Sequence, residues 1–287
     1  FCIMFGCFVK KLIIMETLKT SLPNLNDVKK IPEKQIHEFR ENGHTITRGL
    51  LSPDEVAVYH KVISAAAMKY NTEKRKMEER DTYGKAFLQI MNLWRHDENV
   101  KKLVMSKRLA KVAADLLGVK NVRIFHDQAL FKEPGGGPTP WHQDQFYWPI
   151  DTHKTVTLWM PLVDIDVNMG MLTFASGSQK NGSVFDYEIS DESESEFDQY
   201  VRDKNFEISR AKTMKAGDAT WHTGFTIHNA PGNHSDIMRE VFTIIYLAED
   251  ARITKPKNSY QENDLKTWLM NKMIGTLADS ELNPLVL

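Results

Sequence analysis

The chain has 287 residues, 41% hydrophobic and 26% charged, the profile of a soluble globular protein with one large domain or two small ones, of which one is expected. Lysine plus arginine (37) nearly balance aspartate plus glutamate (38), so no global field favours nucleic acid, an anionic membrane or a polyanionic substrate, and a small molecule becomes the expected partner of a monomer or homodimer. Only Cys2 and Cys7 are present, both near the start, which leaves no disulfide framework and fits a reducing cytoplasm.

The opening FCIMFGCFVKKLIIM is an apolar run broken by Lys10 and Lys11. It is too short to span a bilayer and lacks a small-residue cleavage site, so neither a targeting signal nor stable membrane insertion is expected. Met15 begins a more ordinary sequence, and residues 1–14 are read as a non-native or disordered leader before a single domain over 15–287. In SPDEVAVYHKVISAAAMKY, Ser52 as N-cap, Pro53 at the first helical position and Glu55 completing a capping box predict a helix. EKRKMEER (Glu73–Arg80) reads as its solvated extension. Ser106 and Gly118 bracket a second helix, so the part from about 30 to 118 is expected to be helical.

The pattern changes at KNVRIFHDQALFKEPGGGPTP, where a β-rich run from Val122 to Lys132 ends in a Gly/Pro turn. Lys132 reads equally well as a solvated strand end. Further strands are predicted over 155–165, 170–178, 206–222 and 238–249, short and rich in β-branched or aromatic residues. That spacing suggests a β-sandwich or barrel occupying about 119–250. Between Asp186 and Gln199 the acidic DYEISDESESEFDQ predicts a solvated loop, with a lid over a cleft as the sharper alternative.

Chemistry concentrates in PTPWHQDQFYWP, Pro138–Pro149. His142 and Asp144 lie at the entry to an aromatic stretch expected to be a strand, where residues i and i+2 project from one face and can share an ion. The second His-x-Asp, His234 to Asp236, follows APGN and reads as a surface turn. A third ligand is expected from His222 or His228. Two histidines and one carboxylate on a rigid β scaffold leave one face of an octahedral ion open, which suits non-haem Fe(II) and its chemistry with O2. Arg239 stands eleven residues after His228 at the start of a buried-looking strand, where a guanidinium needs an anionic partner. The dicarboxylate 2-oxoglutarate answers that need, one end on iron and the other on Arg239.

From about Val122 to Glu249 these pieces, HQDQFY, LWMPLVDID, GMLTFASGSQK and HNAPGNHSDIMR in order, resemble the phytanoyl-CoA dioxygenase (PhyH-like) family of Fe(II)/2-oxoglutarate-dependent oxygenases. The resemblance implies His142, Asp144 and His228 as catalytic iron ligands and Arg239 as the clamp for the distal carboxylate. It also places Gln128 and Trp159, with Gln89 as a looser candidate, around 2-oxoglutarate. The family fold is a double-stranded β-helix (jelly roll, cupin-like), mainly β with N-terminal helices. Ala230 departs from the Ser that some relatives carry two residues after the distal histidine. Asp144 argues against halogenation, since related halogenases replace that carboxylate by Gly or Ala. Tyr147 and Trp148 are read as a substrate-facing wall, with core packing as the alternative. His126 and His153 read as ordinary polar residues. The expected reaction is hydroxylation of an unactivated C–H bond of a small organic substrate, with release of succinate and CO2. Two other classes stay open: a zinc-type hydrolase or lyase on the same His/Asp/His site, which gives Arg239 no purpose, and a non-catalytic jelly-roll binding module, which gives His142 and Asp144 none.

Overall fold

A computed structural model describes residues 22–28 and 30–287; the reading of 1–14 as a leader falls outside them. The helices are α1 (Glu33–Asn42), α2 (Pro53–Tyr70), α3 (Thr82–Ala86), α4 (Glu98–Val104), α5 (Lys107–Leu117), α6 (Asp191–Asp203) and α7 (Ser259–Thr267). The strands are β1 (His44–Thr47), β2 (Leu88–Met91), β3 (Val122–Lys132), β4 (Thr139–His142), β5 (Thr155–Pro161) and β6 (Ile165–Asp166). They continue as β7 (Thr173–Ser176), β8 (Glu207–Arg210), β9 (Thr213–Met214), β10 (Ala219–Thr223), β11 (His228–Ala230) and β12 (Arg239–Ala248).

The strands form a six-stranded sheet in the order β1-β10-β5-β12-β3-β2, a four-stranded sheet β4-β11-β7-β8 and a β6-β9 pair, a jelly roll with mainly helical structure before it. The central strands read as continuous apolar runs because both faces are covered. On β12, Phe242, Ile244 and Tyr246 join the core built with α2 and α5, while Val241 and Ile245 turn to the opposite side. On β5, Val156, Leu158 and Met160 face that core, leaving Thr157 and Trp159 for the barrel interior.

Several expectations shift. The capping box at Ser52 forms as expected, but α2 stops at Tyr70, where the Asn71 side chain accepts the Glu73 N–H at 2.9 Å and turns the backbone. Residues 73–80 therefore do not extend the helix. The strand expected over 155–165 closes at Pro161, which has no N–H for the ladder. The run 206–222 divides into β8, β9 and β10, with a turn at Gly217 (φ +85°) before the last. The largest change is the acidic segment. Residues 191–203 are helix α6, capped by Ser190, whose hydroxyl accepts the Ser193 N–H, and seated through buried Phe197 and Val201.

Candidate active site

The expected metal donors converge. Ligand atoms of His142, Asp144 and His228 lie within 4.8 Å of one another. His142 ends β4 and His228 opens β11, and the two are direct partners across that ladder. Asp144 is not on the strand: it starts a short 3-10 turn over Asp144–Tyr147, which brings its carboxylate back toward the imidazoles.

The local hydrogen bonds decide what each donor presents. His142 Nδ1 lies 2.8 Å from the Pro140 carbonyl and His228 Nδ1 lies 2.9 Å from that of Thr226, so each Nδ1 carries the proton and donates it. The Nε2 lone pairs then face inward, 3.5 Å and 3.7 Å from Asp144 Oδ1. Asp144 Oδ2 is occupied elsewhere, accepting the Thr157 hydroxyl at 3.0 Å and lying 3.2 Å from His222 Nε2. Burial pushes the Asp144 carboxyl upward, but any proton on the facing imidazoles, His228 first, outweighs it, so Asp144 ionises first and stays well below the ordinary value. Burial, with His142 and His222 nearby, holds His228 well below its ordinary value and so neutral. Two imidazoles and one carboxylate, each presenting one donor atom inward, are the set a hard-to-borderline divalent ion such as Fe(II) takes.

His222, the competitor for third ligand, is outside this trio and instead holds the back of Asp144. His234 is solvent-exposed in a turn, as expected.

The trio opens on a cavity of about 1240 Å³ whose lining includes Arg239, Gln128, Gln89 and Trp159. Arg239 is 1% exposed, donates from Nη1 to the Gly170 carbonyl at 2.6 Å and sits 5.3 Å above the Trp159 ring, with Nε unpartnered among the described residues. Gly170 is at φ +75°, and a Cβ there would fall 2.5 Å from the Pro231 carbonyl, so only glycine fits the position that receives the guanidinium. Burial pushes Arg239 down to about 9. Gln89 donates to Gln128 at 3.0 Å and accepts from Tyr83 at 3.1 Å, a polar chain along the wall.

Lys132 is no solvated strand end: it is fully buried opposite Arg239, donating to the Gly137 carbonyl. Burial and then the Arg239 charge push its amine down to about 6. Trp148 belongs to both of its readings, since it lines the cavity yet is 5% exposed and packs edge-on against Phe125 at 5.8 Å. The Tyr147 hydroxyl accepts the Ile189 N–H at 2.9 Å and so anchors the acidic segment beside the cavity.

Sequence reasoning missed Thr157, Tyr83, two residues of α7 and its C-cap Trp268. Alternation along 155–161 placed Thr157 with Trp159 on the inner face, and Tyr260, Asp264 and Trp268 share a four-residue spacing that marks one helix face.

A jelly roll carrying this donor trio is the scaffold of the non-haem iron oxygenases that use 2-oxoglutarate, and the chain is an enzyme of that class. It belongs to the family described as Phytanoyl-CoA dioxygenase (PhyH), whose profile matches residues 39–241, a span holding all three donors and Arg239. The chain is 26% identical over 231 residues, 76% of it and 79% of the relative, to the probable alpha-ketoglutarate-dependent hypophosphite dioxygenase of Stutzerimonas stutzeri. It is similar in fold to the non-heme alpha ketoglutarate dependent carbocyclase SnoK from nogalamycin biosynthesis, with a TM-score of 0.74, 22% identity and coverage of 90% and 97% of the two chains. It is also similar to EctD from S. alaskensis, solved with 2-oxoglutarate and 5-hydroxyectoine, with a TM-score of 0.65, 19% identity and coverage of 84% and 88%. Among the described residues no helix is long and apolar enough to cross a membrane.

Proposed function

We propose that this enzyme hydroxylates an unactivated C–H bond of a small organic molecule, converting 2-oxoglutarate and O2 to succinate and CO2 in the process. The observation that carries the reading is the pairing of two features in one cavity: three donors with one free atom each, and a buried arginine that lacks a carboxylate partner among the described residues. A hydrolase needs the first and has no use for the second. Ferrous iron, when bound, supplies the activation of O2. His142, Asp144 and His228 hold the ion, Arg239 fixes the distal carboxylate of the cosubstrate with a planar fork, and Gln128, Gln89 and Trp159 shape its pocket. Trp148, Phe174 and Ile245 keep that region apolar, which excludes water from the reacting centre. We further infer one catalytic domain over 15–287, a cytoplasmic location and no nucleic-acid partner.

The test is anaerobic addition of Fe(II) and 2-oxoglutarate, followed by admission of oxygen. A weak visible charge-transfer band is expected, lost in Asp144→Ala and His228→Ala and kept in His234→Ala, and oxygen should then yield succinate. A wild-type protein with neither band nor succinate would falsify the reading.

A further inference from the structure

We propose that the α7 wall of this cavity recognises a positively charged amine or quaternary ammonium group, so that the substrate is a cationic small molecule with apolar parts and not an acyl-CoA thioester. The chemistry of turnover rests on the function proposed above; the recognition does not.

Charge is the first observation. Among the described residues, apart from Asp144, the carboxylates lining the cavity are Asp81, Asp186, Glu188, Asp191, Glu192 and Asp264, and the only lysine or arginine is Arg239. The chain as a whole is balanced, so this bias is local. Five of the six carboxylates make no ion pair among the described residues, and the sixth, Asp264, meets only His126. A cleft lined by one sign of charge concentrates ligands of the other and repels the phosphates of a coenzyme A.

Placement is the second. Tyr260, Asp264 and Trp268 follow one another at four-residue spacing along α7 and its C-cap, and all three line the cavity. Ring, carboxylate and ring therefore form one stripe. Aromatic faces with an adjacent carboxylate are the surface an ammonium ion prefers, because the ring quadrupole and the full charge attract it together. Asp191 and Glu192 also serve the N-terminus of α6, but Asp264 lies past the first turn of α7 and has no such role.

A third observation is independent of charge. His126 is 1% exposed, sits in the cavity wall 5.2 Å from the Trp268 ring, and its Nε2 has no hydrogen-bond partner among the described residues. Asn92 Nδ2 approaches His126 Nδ1 at 3.4 Å, which makes Nδ1 the acceptor and leaves the proton on Nε2, 3.5 Å from Asp264 Oδ2. A buried donor beside a carboxylate provides for a ligand that carries an oxygen acceptor next to its cationic group.

The experiment is calorimetric titration of the full chain, with and without Fe(II) and 2-oxoglutarate, using phenethylamine, phenethyl alcohol, phenylacetate and coenzyme A as probes. Phenethylamine is expected to bind about tenfold more tightly than the alcohol, and phenylacetate and coenzyme A more weakly than either. Asp264→Asn should reduce the amine to the affinity of the alcohol and leave the alcohol unchanged. No binding of the amine, equal binding of amine and alcohol, or a preference that survives Asp264→Asn overturns the proposal. A charge-transfer band with no amine preference defeats this inference alone, and an amine preference with no band or succinate defeats only the oxygenase reading.

Discussion

Asp144 divides its two oxygens between two tasks. Oδ1 faces His142 and His228, while Oδ2 is held by Thr157 and His222. Groups behind a metal ligand typically change affinity about 10- to 100-fold when removed. Thr157→Val and His222→Ala are each expected to weaken Fe(II) binding about tenfold in competition titrations, within that range, and to retain the charge-transfer band at saturating iron. A His222→Ala protein with no band at any iron concentration would make His222 a ligand. Arg239→Met should cost about 3 to 5 kcal/mol in cosubstrate binding, the usual loss for one member of a buried charge pair, or roughly two to four orders of magnitude in affinity. Iron affinity, measured without 2-oxoglutarate, should stay unchanged. The clustering of His142, Asp144 and His228 and the importance of buried Arg239 were legible because such side chains are costly to bury without a purpose. Thr157 and the supporting role of His222 were not, since a threonine on an apolar strand carries no such cost and the pairing depends on β5 meeting β10.

Helix α6 shows what composition conceals. Most of its charges lie on the solvent face, and its apolar contribution is Phe197 and Val201 with half-buried Tyr200, too few to stand out in an acidic run. The segment is nonetheless fixed, and Glu194 accepts the Trp141 backbone N–H at 2.6 Å one residue before His142. Phe197→Ala is expected to cost about 3 to 5 kcal/mol in chemical denaturation, whereas exposed Glu196→Ala should stay within about 0.5 kcal/mol. Equal small effects would return the segment to a loop. By contrast β3 was legible to the residue and β12 to within one at each end, because long runs carrying β-branched and aromatic residues on both faces leave little alternative. The strand reading of Asp144 failed for a different reason: β4 is four residues long, and Gln143 is drawn into side-chain bonds with the Gly182 and Phe225 carbonyls as the chain turns.

Across the molecule, the helical layer is tied to the barrel side chiefly by apolar packing, and a buried cation, Arg108, joins segments within the layer. Arg108 on α5 pairs with Glu55 at 2.8 Å and with Asp27, joining α5 to the first turn of α2 and to the segment before α1. The Arg108 hydrogen bond, ahead of smaller effects, lowers Glu55 from 4.5 to about 2. A carboxylate with a depressed native value contributes stability that is complete above its unfolded value and lost as pH falls through the native one. The contribution is therefore full above about pH 4.5 and absent below about pH 2. Arg108→Ala is expected to cost about 2 kcal/mol at neutral pH and almost nothing at the acid end, read from denaturation midpoints across that window. A loss independent of pH would assign the residue to packing alone.

Lys132 and Arg239 face each other across β3 and β12, both buried, and neither meets a carboxylate among the described residues. A dicarboxylate that settles beside them brings the opposite sign, and whatever binds only the native form shifts the folding equilibrium toward it. At a free concentration about a hundred times its Kd, 2-oxoglutarate adds about 2.7 kcal/mol and lowers the opened population about a hundredfold. Proteases act on the opened form, so pulse proteolysis across a 2-oxoglutarate series should show graded protection in the wild type and little in Arg239→Met. In a cell the half-life of the protein, and with it the number of copies, then follows the supply of a central carbon metabolite.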